Sequence, residues 1–208
     1  VLELGAGPGS IARLLVKLNR CSVSAVEIDE TCIDILRGYC RRVVRADLDN
    51  EEWRREFPDG GFDVVVIADV LEHLYDPWKT LQAVRTLLRP DGYAVVSIPN
   101  ASHAAILACL MSDNFDYRQC GLLDRTHIRF FAMKDVQALF AQAGLKIVDA
   151  LYVVRPPEVT EFAERWAALP REQRAVVEAG RFAQVYQTVI KAVDAERAKN
   201  VAEFDLCG

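Results

Sequence analysis

The feature that most constrains the fold is the alternation of short apolar runs with helical patterns along the first hundred residues. Apolar, β-branched runs lie at residues 1–4, 22–28, 42–46, 62–68 and 92–98, and helical patterns lie at residues 11–18, 31–37 and 77–88. Strands that are apolar on both faces and alternate with helices are typical of a parallel sheet covered by helices on both sides. The sequence therefore predicts an α/β, doubly wound fold with a mostly parallel sheet.

The rest of the chain has a looser pattern. Residues 101–131 form a long excursion between predicted elements, and excursions of this length in compact domains are usually functional. A helix at 134–143 and a strand at 146–154 follow, and Pro156 and Pro157 then break the chain. We expect residues 158–182 to be a helical insertion before a last strand at 185–193, within a single domain spanning 1–208. Because the sequence begins inside the first strand, we also expect an N-terminal cap upstream of Val1.

Composition argues against several classes of protein. The 25 Lys and Arg residues are outnumbered by 30 Asp and Glu residues, which gives a net charge of -5, whereas a nucleic-acid binder normally concentrates basic charge. No apolar run approaches the roughly 18 residues of a membrane span. The six cysteines form no C-x-x-C pair and share no metal-ligand spacing with the three histidines. We therefore expect a cytoplasmic protein with no nucleic-acid partner, no membrane span and no metal site.

A glycine loop follows the first strand. Gly5, Gly7 and Gly9 form a G-x-G-x-G pattern, and glycines at this place let the chain turn sharply and let a ligand approach the backbone closely. Glu27 ends the second strand, where a carboxylate can accept hydrogen bonds from both hydroxyls of a ribose. A nicotinamide fingerprint would need its third glycine at position 10, which is Ser10. Without Glu27, the loop would indicate only a tight turn. The prediction that this loop binds a cofactor therefore depends on Glu27.

The carboxylates around the loop favour one cofactor class. Asp47 ends the third strand, where it can bind an adenine amino group, and the loop contains no Lys or Arg for a phosphate. Two carboxylates and a glycine loop suit a nucleoside without phosphates, which indicates S-adenosylmethionine rather than NAD or ATP. Asp29 is expected to be the cap of the second helix and not a ligand.

Several motifs together resemble those of class I S-adenosylmethionine-dependent methyltransferases. The matching segments are VLELGAGPG at residues 1–9, VEID at 26–29, AD at 46–47, DVLEHL at 69–74 and LRPDG at 88–92. The chain is most similar to the ubiquinone-biosynthesis O-methyltransferases, and residues 97–103 and 121–131 resemble bacterial relatives associated with glycan biosynthesis. The resemblance implies a Rossmann-like, seven-stranded sheet whose last strand is antiparallel. Asp91 departs from the family pattern, which commonly has glycine at this turn.

The resemblance also implies roles for individual residues. Ten residues would bind the cofactor: Glu3, Gly5, Ala6, Gly7 and Gly9 around its methionine part, Glu27 and Ile28 at the ribose, Asp47 and Leu48 at the adenine, and Asp69 at the near side of the pocket. The product would be S-adenosylhomocysteine. The helices that usually help to cover the cofactor in relatives are absent from this sequence, which bears on how tightly the cofactor binds rather than on which cofactor it is.

The three histidines follow predicted strands, at the sheet edge where open α/β sheets bind ligands. His73 follows the fourth strand, His103 follows the fifth, and His127 lies in the excursion. Imidazole suits proton removal near neutral pH. We expect His73 or His127 to be a general base with Asp124 orienting it. The alternatives are structural histidines and an Asp124–Arg125 ion pair that fixes the loop.

The acceptor is expected to be a small molecule that contacts Asn100, His103, Arg125 and Tyr75. The glycan-like resemblance of residues 121–131 favours a hydroxyl of a sugar or natural-product-like compound. Methylation of nucleic-acid bases is disfavoured, because no (D/N)-P-P-(Y/F) motif follows the fourth strand. The alternative function is a non-catalytic S-adenosylmethionine-binding module of a larger protein, and a nicotinamide dehydrogenase is a third possibility.

Overall fold

A computed structural model describes all 208 residues. It contains one seven-stranded sheet, whose strands are β1 (Leu2–Leu4), β2 (Ser24–Glu27), β3 (Arg42–Arg45), β4 (Phe62–Ala68), β5 (Leu88–Pro99), β6 (Leu145–Val154) and β7 (Val185–Asp194). The strand order is β3-β2-β1-β4-β5-β7-β6. The first five strands are parallel, and β7 is antiparallel to both β5 and β6. The predicted mostly parallel sheet with an antiparallel last strand is confirmed.

Eight α-helices surround the sheet: α1 (Ser10–Lys17), α2 (Glu30–Arg37), α3 (Glu52–Arg55), α4 (Pro77–Leu87), α5 (Ala104–Met111), α6 (Met133–Gln142), α7 (Ala163–Ala168) and α8 (Arg171–Glu178). Two 3₁₀ turns lie at Leu71–His73 and Pro157–Val159. No helix has the length and apolar composition needed to cross a membrane.

The sheet is buried on both faces. Val26 packs with Leu4 and Ile67 in the larger core, which also includes side chains of α4 and α6. Its neighbour Ala25 packs in a second cluster together with Leu36 of α2. Adjacent residues of a strand point to opposite faces, so these two clusters lie on the two sides of the sheet. This explains why the central strands are apolar at consecutive positions.

Local signals set several helix boundaries as expected. The side chain of Asp76 accepts a hydrogen bond from Lys79 N at 3.1 Å, and Pro77 occupies the first helical position of α4. Asp29 caps α2 by accepting from Cys32 N at 2.9 Å. Gly144 follows α6 with φ +74°, the left-handed conformation that favours glycine after a helix.

The two irregular segments pack on each other beside the carboxyl end of β5. Ala104 and Ala108 of α5 share a buried cluster with Trp166 and Leu169. Pro99 at the end of β5 pairs with Gln187 near the start of β7, so residues 101–131 and 158–182 leave and enter the sheet at the same edge. The ligand-binding edge is therefore covered by parts of the chain that lie far apart in sequence.

Candidate active site

The glycine loop has the backbone shape that its sequence predicts. Gly5, Gly7 and Gly9 have φ of +64°, +51° and +77°, which L-residues with a side chain rarely adopt. A Cβ on Gly5 would lie 2.6 Å from a methyl carbon of Val70. A Cβ on Gly7 would meet nothing within 4 Å, so the loop is open toward solvent at its centre.

Glu27 ties this loop to the end of β2. Its Oε2 accepts a hydrogen bond from Gly7 N at 2.6 Å, and its Oε1 accepts from Ile28 N at 2.8 Å and Asp29 N at 2.9 Å. A carboxylate oxygen has two acceptor positions, so Oε1 is saturated while Oε2 retains one. Glu27 can therefore accept one ribose hydroxyl without breaking any of its present bonds.

A cavity of about 300 Å³ opens beside the loop at the carboxyl ends of β1, β2, β3 and β4. Its lining consists of Gly5, Val26, Glu27, Ile28, Ala46, Asp47, Leu48, Asp49, Asp69, Val70, His73 and Leu74. This set contains six of the ten residues predicted to bind the cofactor. It includes four carboxylates and no Lys or Arg, which suits a cationic ligand without phosphates.

The other four predicted cofactor residues lie in or directly before the loop but not in the cavity wall. Ala6, Gly7 and Gly9 form the turn itself. Glu3 is buried in β1, and its Oε2 has no hydrogen-bond partner. Burial raises the pKa of Glu3 to about 7, with a further contribution from the nearby charge of Glu27.

Asp69 is held at the cavity by groups that sequence reasoning missed. It has φ +54°, and its Oδ1 accepts hydrogen bonds from Ser97 Oγ at 2.9 Å and from Gln187 Nε2. Ser97 also accepts a hydrogen bond from Asp69 N at 3.0 Å. Because Gln187 comes from β7, no pattern near Asp69 in the sequence signals this contact.

His73 and His127 lie together although 54 positions separate them. Their ring centroids are 4.8 Å apart in an edge-to-face arrangement. His73 Nδ1 lies 3.2 Å from Thr126 O, and His127 Nδ1 lies 3.3 Å from Leu122 O. A carbonyl oxygen can only accept, so both Nδ1 atoms carry the proton and both Nε2 atoms are free. Burial lowers the pKa of His127, and the neighbouring charge of His73 lowers it further.

Asp124 acts on this pair through Thr126. The hydroxyl of Thr126 donates to Asp124 Oδ1 at 2.6 Å and lies 3.1 Å from His73 Nδ1. Burial tends to raise the pKa of Asp124, but the hydrogen bonds from Thr126 outweigh it and the pKa is lowered. No Asp124–Arg125 ion pair forms, so the loop is fixed by Thr126 instead.

Glu72 is a member of this group that was not among the predicted site residues. It is 1% exposed, and neither carboxylate oxygen has a hydrogen-bond partner. Its Oε1 lies 3.9 Å from His127 Nε2. Burial raises the pKa of Glu72 to about 8, and the charges of Asp69 and Asp124 raise it too. The Glu-His pair at residues 72–73 is visible in the sequence, but its closeness to His127 is not.

Two predicted substrate residues have structural roles. Asn100 is 1% exposed and donates to the carbonyl oxygens of Phe182 and Val185. His103 is fully buried, with Nε2 2.8 Å from Arg155 O and Nδ1 accepting from Ala105 N. With these groups already bonded, neither side chain has a free polar atom for a substrate, so the prediction for them is corrected.

Arg125 and Tyr75 are exposed, and they lie at different places. Arg125 lines an open cavity of about 470 Å³ with Tyr117, His127, Ile128 and Phe130. Tyr75 lines a larger hollow of about 580 Å³ between α3 and α4. That hollow holds no histidine and only one predicted cofactor residue, Leu48, so its size does not make it the centre of the chemistry.

The similarity of this chain to known proteins agrees with a cofactor site at the glycine loop. Residues 1–150 match the model of a family described as a methyltransferase domain. The chain belongs to this methyltransferase family. The domain is 24% identical over 153 residues to a ubiquinone biosynthesis O-methyltransferase of Neisseria meningitidis, covering 72% of this chain and 64% of that protein.

Two further relatives extend the likeness past residue 150. The methyltransferase domain is 25% identical over 195 residues to the 27-O-demethylrifamycin SV methyltransferase of Amycolatopsis mediterranei, covering 88% of this chain and 67% of the other. A Thermotoga maritima structure described as a possible histamine N-methyltransferase has a TM-score of 0.61 at 18% identity, covering 93% of this chain and 81% of that one. The last likeness concerns the fold alone.

The cofactor of this family is S-adenosylmethionine, and the residues present fit it. The cavity offers carboxylates at the ends of β2, β3 and β4 and glycine backbone at the end of β1. The four carboxylates of the lining, those of Glu27, Asp47, Asp49 and Asp69, suit the positively charged ammonium and sulfonium of this cofactor. No part of the cavity wall is cationic, so a phosphate would find no partner there.

Proposed function

We propose that this domain transfers the methyl group of S-adenosylmethionine to a hydroxyl of a small molecule. The single observation that carries this is the position of His73, which belongs both to the wall of the cofactor cavity and to the cluster with His127. His127 in turn lines the outer cavity. Polar groups thus lie where a cofactor on one side would meet an acceptor on the other.

The protein's contribution is to bind and align. When bound, S-adenosylmethionine supplies a sulfonium methyl group that an acceptor oxygen attacks in line, while the carbon–sulfur bond breaks and its electron pair stays on sulfur. Alignment of this kind can contribute roughly 7–11 kcal/mol to a two-reactant step. The imidazoles of His73 and His127 are the groups an acceptor hydroxyl would meet, so we place the loss of its proton at this cluster.

The outer cavity supports a sugar or natural-product-like acceptor. Tyr117, Ile128 and Phe130 offer flat and apolar surface, and Arg125 is the cation of the lining. Aromatic and apolar side chains can pack on a sugar ring or a polyketide, and a guanidinium can bind a phosphate with two hydrogen bonds. A sugar nucleotide carries both features. The names of the O-methyltransferase relatives agree with oxygen as the acceptor atom.

Calorimetric titration with S-adenosylhomocysteine tests the cofactor part, with NAD as a negative control. We expect micromolar binding of S-adenosylhomocysteine and none of NAD. Glu27→Ala should weaken binding about 10- to 100-fold, since hydrogen bonds to a charged group contribute about 1.5–3 kcal/mol. Glu30→Ala is the matched control, because Glu30 is exposed three residues away and pairs only with Arg45.

Parallel assays of methyl transfer to sugar nucleotides and to phenols test the acceptor. Turnover of phenols alone would contradict the sugar assignment. Tight cofactor binding with no turnover of any acceptor would favour a non-catalytic binding module. Loss of turnover in His127→Ala, with S-adenosylhomocysteine binding intact, would favour the enzyme.

A further inference from the structure

Glu161 lies in the segment at residues 158–182, between β6 and β7, and its side chain reaches the segment at residues 101–131. Glu161 Oε1 accepts a hydrogen bond from Leu122 N at 2.7 Å. Residues 1–150 match the family model, and Glu161 lies beyond them. The contact therefore joins a residue outside the family match to the loop that carries His127.

Gly121 makes room for this contact. Its φ is +96°, and a Cβ at this position would overlap with Glu161 Oε1. Phe162, which follows Glu161, is 1% exposed and packs with Leu122 and Leu123. The carboxylate thus lies directly against the loop backbone, and the buried Phe162 fixes the chain on which it is carried.

Tyr186 of β7 holds the other side of the carboxylate. Its hydroxyl lies 3.1 Å from both Glu161 oxygens. Burial raises the pKa of Tyr186 to about 12, with a further contribution from the negative charge of Glu161, so the phenol keeps its proton and remains a donor at neutral pH. The guanidinium carbon of Arg155 lies 4.7 Å from the centre of the Tyr186 ring. Both carboxylate oxygens of Glu161 therefore have partners that fix their direction.

Leu122 transmits this contact to His127. The residue is held at its N–H by Glu161, and its carbonyl oxygen lies 3.3 Å from His127 Nδ1. Two backbone hydrogen bonds close the same turn, from Asp124 N to Gly121 O at 3.1 Å and from His127 N to Asp124 O at 3.0 Å. A carbonyl oxygen only accepts, so its position decides which ring nitrogen of His127 carries the proton.

We propose that Glu161 is a positioning residue for His127. By fixing Leu122, it keeps the proton of His127 on Nδ1 and leaves Nε2 as the nitrogen that can accept a proton. The segment at residues 158–182 then contributes to the acceptor side of the site through one carboxylate. The removal of a proton by His127 rests on the proposed function, whereas the tautomer of its ring does not.

Nuclear magnetic resonance of the full chain, labelled with ¹⁵N-histidine, tests this role. The chain has three histidines, so comparison with His127→Gln assigns the signals of His127. At about pH 8 this ring is neutral because burial lowers its pKa, and the ¹⁵N chemical shifts distinguish its two tautomers. We expect mainly the Nδ1–H form in the wild type. Glu161→Ala should lower the ratio of the Nδ1–H to the Nε2–H form about 2- to 10-fold, the effect of losing one hydrogen bond.

Two further variants separate positioning from general support of the fold. Glu161→Gln keeps an oxygen that can accept from Leu122 N, so it should restore the wild-type ratio of tautomers. Glu158→Ala is the matched control, because Glu158 lies in the same segment and its Oε1 accepts from Trp166 Nε1 at 2.8 Å, also within that segment. Glu158→Ala should lower the urea midpoint as Glu161→Ala does, but it should leave the tautomers of His127 unchanged.

Circular dichroism of each variant reports whether it folds. Should Glu161→Ala fail to fold, Tyr186→Phe removes the phenol that donates to Glu161 and should shift the ratio in the same direction. The proposal is overturned if wild-type His127 carries its proton on Nε2, if the folded variant keeps the wild-type ratio, or if Glu161→Gln or Glu158→Ala changes the ratio as much as Glu161→Ala. These spectra need neither cofactor nor acceptor. Absence of S-adenosylhomocysteine binding or of turnover would therefore contradict the proposed function alone.

Discussion

The candidate site has a cofactor half, around the glycine loop and Glu27, and a proposed acceptor half, around His73, His127 and residues 100–131. These two halves are assembled over different distances along the chain. In the cofactor half, Gly7 N donates to Glu27 only 20 residues away. In the acceptor half, His73 contacts Thr126 across 53 residues, and Asn100 contacts Val185 across 85. Each half contains one buried carboxylate with an unpaired oxygen, Glu3 or Glu72. A buried carboxylate can thus be placed by residues close in the sequence in one half and by tertiary packing of distant segments in the other.

The largest expected effect is in the cofactor half, at Gly9. Its φ is +77°, and an added Cβ would lie 2.7 Å from Leu36 Cδ2 and closer still to the Tyr39 hydroxyl. Left-handed strain of about 1–2 kcal/mol and overpacking of about 1–3 kcal/mol add up, so Gly9→Ala should lower the free energy of unfolding by about 3 kcal/mol. Urea denaturation measures it. Gly7→Ala, which has no steric clash, should lose only the strain.

Comparing Gly7→Ala with Gly9→Ala also separates the effect of the loop on stability from its effect on cofactor binding. The left-handed backbone of Gly7 directs its N–H at Glu27 Oε2. Gly7→Ala keeps this N–H but strains the backbone that aims it, so it should weaken S-adenosylhomocysteine binding more than its small loss of stability suggests. Equal stability losses in the two variants would show that the shape of the loop, and not the space around Gly9, sets the cost.

The second effect is a pH dependence that originates at Glu3. Its pKa is about 7 in the folded protein because of burial, against about 4.5 in the unfolded chain. The folded state therefore holds the proton more tightly, and the free energy of unfolding falls as pH rises from about 4.5 to 7. The full loss is up to about 3 kcal/mol.

Denaturation of the wild type and of Glu3→Gln at pH 5 and pH 7.5 measures this contribution. The wild type should lose more stability between the two pH values than the variant, because glutamine does not titrate. Identical losses would show that Glu3 is ionised in the folded protein at pH 5, and its burial would then be compensated by a partner outside the loop.

The same contrast explains how much could be predicted from the sequence. The alternation of strands and helices was predictable because each βα unit has its own periodicity and turn residues, and caps such as Asp76 act within three residues. The glycine loop and Glu27 were predictable because a short connection fixes where they meet. The position of the glycine loop relative to Glu27 can therefore be predicted from neighbouring residues alone.

The acceptor half was predicted less well for a physical reason. The rule that strand ends carry ligands applies equally to His73, His103 and His127, but packing of α5 against the segment after β6 buries His103 and turns it toward Arg155 O. Glu72 was overlooked because an acidic residue beside a helical turn usually faces solvent. The segment that contacts its backbone lies over 50 positions away in the sequence, since Ile128 N and Arg129 N donate to its carbonyl oxygen.

A third prediction concerns the contact that joins the acceptor half to β7. Asn100→Ala removes a buried amide that donates to Phe182 O at 3.0 Å and Val185 O at 2.8 Å. Leaving such groups unpaired costs about 2 kcal/mol, measured by urea denaturation. S-adenosylhomocysteine affinity should stay unchanged, since Asn100 is not in the cofactor cavity. Asn19→Ala, at an exposed position, is the matched control; a weakened cofactor affinity in Asn100→Ala would mean that the two halves are coupled.

The smallest expected effect, at Asp76, tests whether the cost of losing a contact depends on how far apart its partners are in the sequence or on where the contact lies in the fold. Asp76 lies close to the acceptor half in sequence, but its contact with Lys79 N spans three residues. Asp76→Ala should therefore follow the general rule for helix caps and lower the free energy of unfolding by about 1 kcal/mol. Asp34→Ala is the control, because Asp34 forms only an exposed ion pair with Arg37, which contributes at most about 0.5 kcal/mol. A loss for Asp76→Ala as large as that for Asn100→Ala would show that location near the acceptor half, rather than contact range, decides the cost.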